Sequence, residues 1–123
     1  MYQKRVTRTP RSVDAIISTD GEQRIVLFNT GAEATFGYNR TEVLGQPLSI
    51  LIPERYRAGH ARDVVAFRGS ATAARMMDRQ GIVALRKDGS EFPAEASILS
   101  FTVEGKRRYG VALRDVSERR QEG

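Results

Sequence analysis

The chain has 123 residues, of which 40% are hydrophobic and 28% charged, the composition of one soluble domain able to bury roughly two-thirds of its unfolded surface. No apolar run approaches the roughly 18 residues of a membrane-spanning helix, and the first twelve residues are polar and basic where a secretory leader would be apolar. With no cysteine, disulfides, thiolate metal sites, cysteine nucleophiles and thiol-adduct photochemistry are all excluded. These features point to a cytoplasmic chain.

The formal charge of +5 is unevenly spread. Lys4, Arg5, Arg8 and Arg11 precede the first acid, Asp14, which leaves 16 bases against 15 acids in the rest. A nucleic-acid face needs bases gathered on one surface, whereas here they alternate with acids, so no nucleic-acid partner is expected. Residues 1–12 read as a basic arm or cap.

In chain order, Ala15 to Thr19 alternates as a strand, and Asp20-Gly21 offers a turn with positive φ. The return strand, Arg24 to Asn29, is apolar on both faces through Ile25, Val26, Leu27 and Phe28, which predicts a central or doubly covered strand. Thr30-Gly31-Ala32-Glu33 has capping-box spacing and opens a short helix that places Ala32 and Phe36 on one face before Gly37. A second helical turn, Thr41 to Leu44, stops at Gly45, and Pro47 leads into Leu48, Ile50, Leu51 and Ile52. Pro53 suits a first helical position, so the longest helix is predicted from there to about Arg68. Tyr56, His60, Val64 and Phe67 fall on one stripe of it, which turns the only histidine inward.

From Gln80 the period returns to two. Ile82 to Arg86 leads into the Asp88-Gly89 turn, and then Phe92, Ala94, Ala96 and Ile98 alternate with polar neighbours. Past Ile98 the opposite parity becomes apolar through Leu99, Phe101 and Val103, so that face is expected to be covered by the amino-terminal segment or by a second copy of the chain. Glu104-Gly105-Lys106 turns into a fifth strand, Tyr109 to Arg114. Asp115-Val116-Ser117-Glu118 has cap spacing and starts a further helix. One domain, 13–117, is followed by the start of a helix at 118–123.

Standard catalytic patterns are missing. There is no glycine-rich phosphate loop, paired-histidine zinc motif or G-x-S-x-G elbow, and one histidine cannot make a conventional metal site. No enzyme activity and no metal are expected.

The order of elements, together with Asp14-Ala15-Ile16-Ile17, Asp20-Gly21, Phe28-Asn29, Phe36-Gly37-Tyr38, Glu42-Val43-Leu44-Gly45, Leu51-Ile52-Pro53-Glu54, Arg86-Lys87-Asp88-Gly89-Ser90-Glu91-Phe92-Pro93 and Arg114-Asp115-Val116-Ser117-Glu118-Arg119, resembles a PAS domain over about residues 13 to 120. The resemblance implies an α+β fold with a five-stranded antiparallel sheet in the order 2-1-5-4-3 and helices over one face around a small pocket. The implied lining is Ile17 and Leu27 from the first two strands, Phe36, then His60, Val64 and Phe67 from the long helix. Ala96, Ile98, Val111 and Leu113 complete it from the last two strands.

The implied function is a non-enzymatic sensing or relay module of a bacterial multidomain signalling protein, such as a sensor histidine kinase or a cyclic-dinucleotide enzyme. Asp115 and Ser117 would relay to a covalently linked output domain, and a homodimer would form across Leu99, Phe101 and Val103. A ligand-free dimerisation scaffold is the alternative. Spacing is closest to the haem-binding domains of oxygen-sensing kinases, with His60 where they place the iron ligand. Where that group has cationic or imidazole partners for the propionates and bound oxygen, however, this chain has Ala66, Ala74 and Gln80, and Arg75 replaces a bulky apolar residue. PAS domains without haem also carry a histidine here, so His60 is expected as a packed core residue and no cofactor as the resting state. Haem and a small organic ligand are the alternatives. The lack of tryptophan removes a flavin-stacking site of the redox kind.

Overall fold

The computed structural model describes the backbone of residues 14–68 and 75–117 and the side chains of 14–62 and 81–117. Five strands form one antiparallel sheet: β1 (Ala15–Asp20), β2 (Ile25–Phe28), β3 (Arg75–Leu85), β4 (Glu91–Val103) and β5 (Lys106–Asp115), in the order β2-β1-β5-β4-β3. Between β2 and β3 lie α1 (Thr30–Phe36), α2 (Arg40–Val43), 3-10 turns at Leu48–Leu51 and Glu54–Tyr56, and α3 (Arg57–Arg68). The expected strand order is therefore observed. The basic arm 1–12, the helix start 118–123 and Ala74 lie outside the described residues, as do the side chains of Val64, Ala66, Phe67, Arg75 and Gln80.

The register explains the core. Ala15 faces Leu113 and Leu113 faces Ala96, while Ile17, Val111 and Ile98 form the next row. These rows share the inner face, where Ile17, Ala15, Ala94, Ala96 and Leu113 are buried. Small alanines on this face leave room for larger rings, and Phe36 from α1 packs edge-on against Phe92 with centroids 5.5 Å apart, with Phe28 6.2 Å away on the other side. Each fully buried aromatic of this kind contributes roughly 1.5–3 kcal/mol.

Five sequence expectations need correction. First, β2 is an edge strand, not a doubly covered one: Ile25 and Phe28 are buried, but Val26 and Leu27 are 43% and 45% exposed. The pairing runs Ser18↔Leu27 and then Thr19↔Ile25, so the extra residue Val26 bulges out. Ser18 is also opposite Gly110, and Gly110 opposite Leu99, which places Leu27 on the outer face of the sheet and removes it from the interior lining.

Second, Gly21 does not carry the positive φ of the first turn; Gln23 does, at 66°. Gly21 is favoured instead by close approach, since a Cβ there would lie 3.3 Å from the Arg107 carbonyl oxygen, a tight contact. Third, the cap of α1 is Asn29, one residue before the predicted Thr30. Its Oδ1 accepts from both Ala32 N–H and Ile16 N–H at 2.8 Å, which ties the helix to β1 as well as capping it.

Fourth, β3 begins at Arg75, well before Ile82, because a register shift between Arg79 and Ile82, with Gly81 at φ 73°, breaks the alternation that the sequence shows. Fifth, Tyr56 is 45% exposed. It ends a 3-10 turn ahead of α3, so the spacing of four that assumed one continuous helix does not carry it inward.

Both sheet edges are modified. On β2, Ile25 N–H donates to the Gln46 carbonyl at 2.9 Å, Gly45 N–H donates to the Ile25 carbonyl at 2.8 Å, and Arg24 bridges to Pro47. On β3 the bulge at Gly81 bends the free edge.

Candidate functional site

A connected polar cluster sits where β5 ends. Arg86, just past the end of β3, points its guanidinium across the start of β4. Its Nε donates to the Thr35 carbonyl of α1 at 3.2 Å, its Nη1 to Ser90 Oγ at 3.3 Å, and its Nη2 to Asp115 Oδ2 at 2.8 Å. The same guanidinium lies 4.2 Å from the ring centroid of Phe92, a geometry in which the ring face favours the cation. Asp115 uses its other oxygen for the chain that follows: Oδ1 accepts from Ser117 N–H at 2.8 Å and from Ser117 Oγ at 2.5 Å. Val116 is buried, and its N–H donates to the Pro93 carbonyl at 3.0 Å.

This arrangement can hold the strand end and the following segment in one position relative to α1. Phe36 touches Phe92, Phe92 underlies Arg86, and Arg86 holds Asp115. The backbone reinforces it, because Lys87 N–H donates to the Phe36 carbonyl at 2.9 Å. Sequence reading singled out Asp115 and Ser117, and the structure brings them together; it missed the roles of Arg86, Thr35 and Pro93. The Arg-Lys-Asp-Gly-Ser stretch was visible as a turn, but nothing local marks Arg86 as the partner of a residue 29 positions on.

Ion pairs surround this end of the molecule. Arg40 pairs with Glu33 at 3.2 Å and holds its carboxyl below the usual carboxylate range, and Lys87 Nζ does the same to Glu42 at 2.7 Å. Hydrogen bonds from the Ser90 side chain and N–H lower Asp88, which fixes the turn closed by Gly89 at φ 91°.

Of the residues expected to line an interior site, Val64 and Phe67 lie outside the described side chains, and the other eight divide in three. Ile17, Phe36, Ala96 and Leu113 are buried, and Ile98 and Val111 are partly buried against the same core. His60, near the start of α3, is half-buried and already engaged by a neighbouring group. Leu27 faces outward, as described above. One end of the inner face is polar, a feature that sequence reading missed: Thr19, Tyr109 and Ser100 are buried in one cross-strand row, with Arg107 Nη1 donating to Ser100 Oγ at 2.7 Å. No cluster of three or more possible metal-ligating side chains occurs among the described residues.

On the outer face Leu99 and Phe101 are half-buried and Val103 is 43% exposed. Ile16, 37% exposed, and Leu27 extend this apolar surface to β1 and β2, with Gly110 and Ala112 of β5 between the two groups.

A family model described as the PAS domain matches residues 13–118. The chain belongs to the PAS domain family. Among its relatives is the sensor protein FixL of Bradyrhizobium diazoefficiens, 32% identical over 108 residues that make up 88% of this chain and 21% of FixL. Another is the oxygen sensor protein DosP of Escherichia coli, 30% identical over 104 residues, 84% of this chain and 13% of DosP. The chain thus spans about a fifth or less of the length of these relatives. Among solved structures, the PAS domain of an HTR-like protein from Haloarcula marismortui superposes with a TM-score of 0.69 at 25% identity, covering 92% of this chain and 96% of that one. Within this PAS domain the cluster around Arg86 and Asp115 is the junction between the sheet and whatever follows, and no helix among its described residues is long and apolar enough to cross a membrane.

Proposed function

We propose that this PAS domain is a non-enzymatic signal-input and relay module of a longer cytoplasmic bacterial signalling protein, with a kinase or cyclic-dinucleotide enzyme as its output. The observation that carries the reading is the double engagement of Asp115, bound by Arg86 on one oxygen and by Ser117 on the other. A change in the interior that moves Phe36 or Phe92 is thereby passed to the residues that follow β5. Both named relatives are sensor proteins, and the chain spans 21% and 13% of them, which fits a module within a larger protein.

Haem sensing through His60 is the second reading, favoured by the oxygen-sensor relative and by a half-buried imidazole on α3. The donor set does not fit it. A haem brings two propionates and a large ring, and Ala66, Ala74 and Gln80 stand at the positions expected to partner the propionates and bound oxygen. The reading offered is therefore a domain without resident haem whose interior takes a small organic ligand.

Native mass spectrometry and an absorption spectrum of the chain, expressed with a haem precursor, test this together. Expected are no stoichiometric Soret band and a small organic adduct on the folded chain. A full Soret band that disappears in His60→Ala would promote haem sensing. A bare dimer with no adduct supports the scaffold reading instead, and a bare monomer at high concentration sinks both.

The partner of the outer face, on this reading, is a second copy of the chain. The apolar surface runs from Leu27 and Ile16 across Gly110 to Leu99 and Phe101, a continuous apolar face of the kind that a second copy covers, with cover by residues 1–12 of the same chain as the competing reading. Phe101→Asp is expected to shift sedimentation from dimer to monomer while leaving the fold intact. Unchanged dimer content in a folded variant rules this face out.

A further inference from the structure

Arg55 lies in the 3-10 turn that feeds α3, and Glu91 is the first residue of β4. Their side chains meet fork to fork: Nη1 donates to Oε2 at 2.8 Å and Nη2 to Oε1 at 2.6 Å. The Arg55 guanidinium also lies 4.6 Å from the ring centroid of the exposed Tyr56. A planar bidentate pair fixes both distance and angle, which a single-point contact does not. Arg57 meanwhile donates through Nε to the Ile52 carbonyl at 2.9 Å, so the first residue of α3 is braced against the segment that leads into it. The entry to the helix that carries His60 is thus tied in a defined geometry to one residue of the sheet.

That residue has a particular neighbourhood. Glu91 is followed by Phe92, which lies under Arg86, and then by Pro93, whose carbonyl receives Val116 N–H at 3.0 Å. A single residue, Phe92, separates the anchor of α3 at Glu91 from the Pro93 carbonyl that holds the exit of β5. This path bypasses both Phe36 and Asp115.

We infer that Arg55 and Glu91 form a mechanical link between α3 and the exit segment, a second input to the junction that responds to displacement of the histidine-bearing helix and not to repacking of α1. Its meaning for signalling rests on the relay reading above, but the link itself does not. The two residues act as positioning residues: neither needs to touch a ligand. The pair keeps the Glu91 carboxyl below its ordinary range, so the link is intact at neutral pH, and its exposure makes it sensitive to salt.

Amide hydrogen exchange on the chain tests the link in Arg55→Gln, Glu91→Gln and the exchanged pair Arg55→Glu/Glu91→Arg, with Asp115→Asn as a separate control of the junction. Breaking the pair is expected to speed exchange about threefold at Ala61 and Arg62, in α3, and by a similar factor at Val116. The exchanged pair should restore both, and 0.5 M salt should reduce the difference between wild type and the single variants. Faster exchange in α3 with Val116 unchanged overturns the inference, because the pair would then brace α3 alone; no change at either place overturns it too. Failure of the relay reading is distinguishable: it would show as a Ser117 amide indifferent to Asp115→Asn, whatever the Arg55 and Glu91 variants do.

Discussion

Phe92→Ala is expected to destabilise the domain by about 3–5 kcal/mol, a large share of the roughly 5–15 kcal/mol that holds a small domain together. Phe92 is 2% exposed, its ring meets Phe36 edge-on at 5.5 Å, and the Arg86 guanidinium covers it at 4.2 Å. Truncation removes the aromatic surface, opens a cavity beside Ala84 and Ala94, and takes away the platform on which Arg86 rests. Two losses are therefore combined, one of packing and one of position. Phe92→Leu keeps most of the volume and should cost clearly less, while still removing the ring under Arg86. Denaturant unfolding of the two variants measures the difference. A loss below about 1 kcal/mol in the alanine variant would mean that the site collapses freely and the core is centred elsewhere.

The second large effect is expected at Asp115. Asp115→Ala removes the acceptor of Arg86 Nη2 and the single oxygen that accepts both Ser117 hydrogen bonds, and should cost about 2 kcal/mol for a lost cap together with a charge-assisted hydrogen bond. The more diagnostic result is local. Amide exchange at Ser117 should accelerate well beyond what the fall in global stability produces, while Asp115→Asn, which keeps a side-chain oxygen for Ser117 N–H, should lie between wild type and the alanine variant. Equal global and local changes would show that Asp115 contributes stability without fixing the exit.

Much of the fold was legible in the sequence because its signals are local. Asp88-Gly89 and Glu104-Gly105 announce hairpins, and the alternation of Phe92, Ala94, Ala96 and Ile98 gives the inner face of β4 correctly. At Glu104-Gly105 both residues have positive φ, 52° and 79°, as a two-residue hairpin loop demands. The misreadings occur where one residue shifts the register. Val26 bulges and sends Leu27 to the wrong face, and the bulge between Arg79 and Ile82 hides the first half of β3. The junction was half legible. Asp115 and Ser117 are two residues apart and show as a cap, whereas Arg86, Thr35 and Pro93 reach the same place only through the folded chain. Long-range pairs of this sort leave no period in a sequence.

The treatment of the two sheet edges governs how copies of this domain can associate. Strands add to a sheet through a straight row of unpaired amides and carbonyls, the template from which fibrils grow. Along β2 part of that row is taken by Gly45 and Gln46 and bounded by Pro47, and along β3 the kink at Gly81 spoils the straightness that a new strand would need. Lateral polymerisation is therefore disfavoured along the described parts of both edges, which favours the proposed pairing through the face that bears Phe101. Self-association through a face closes on itself after two copies, whereas edge growth has no natural end.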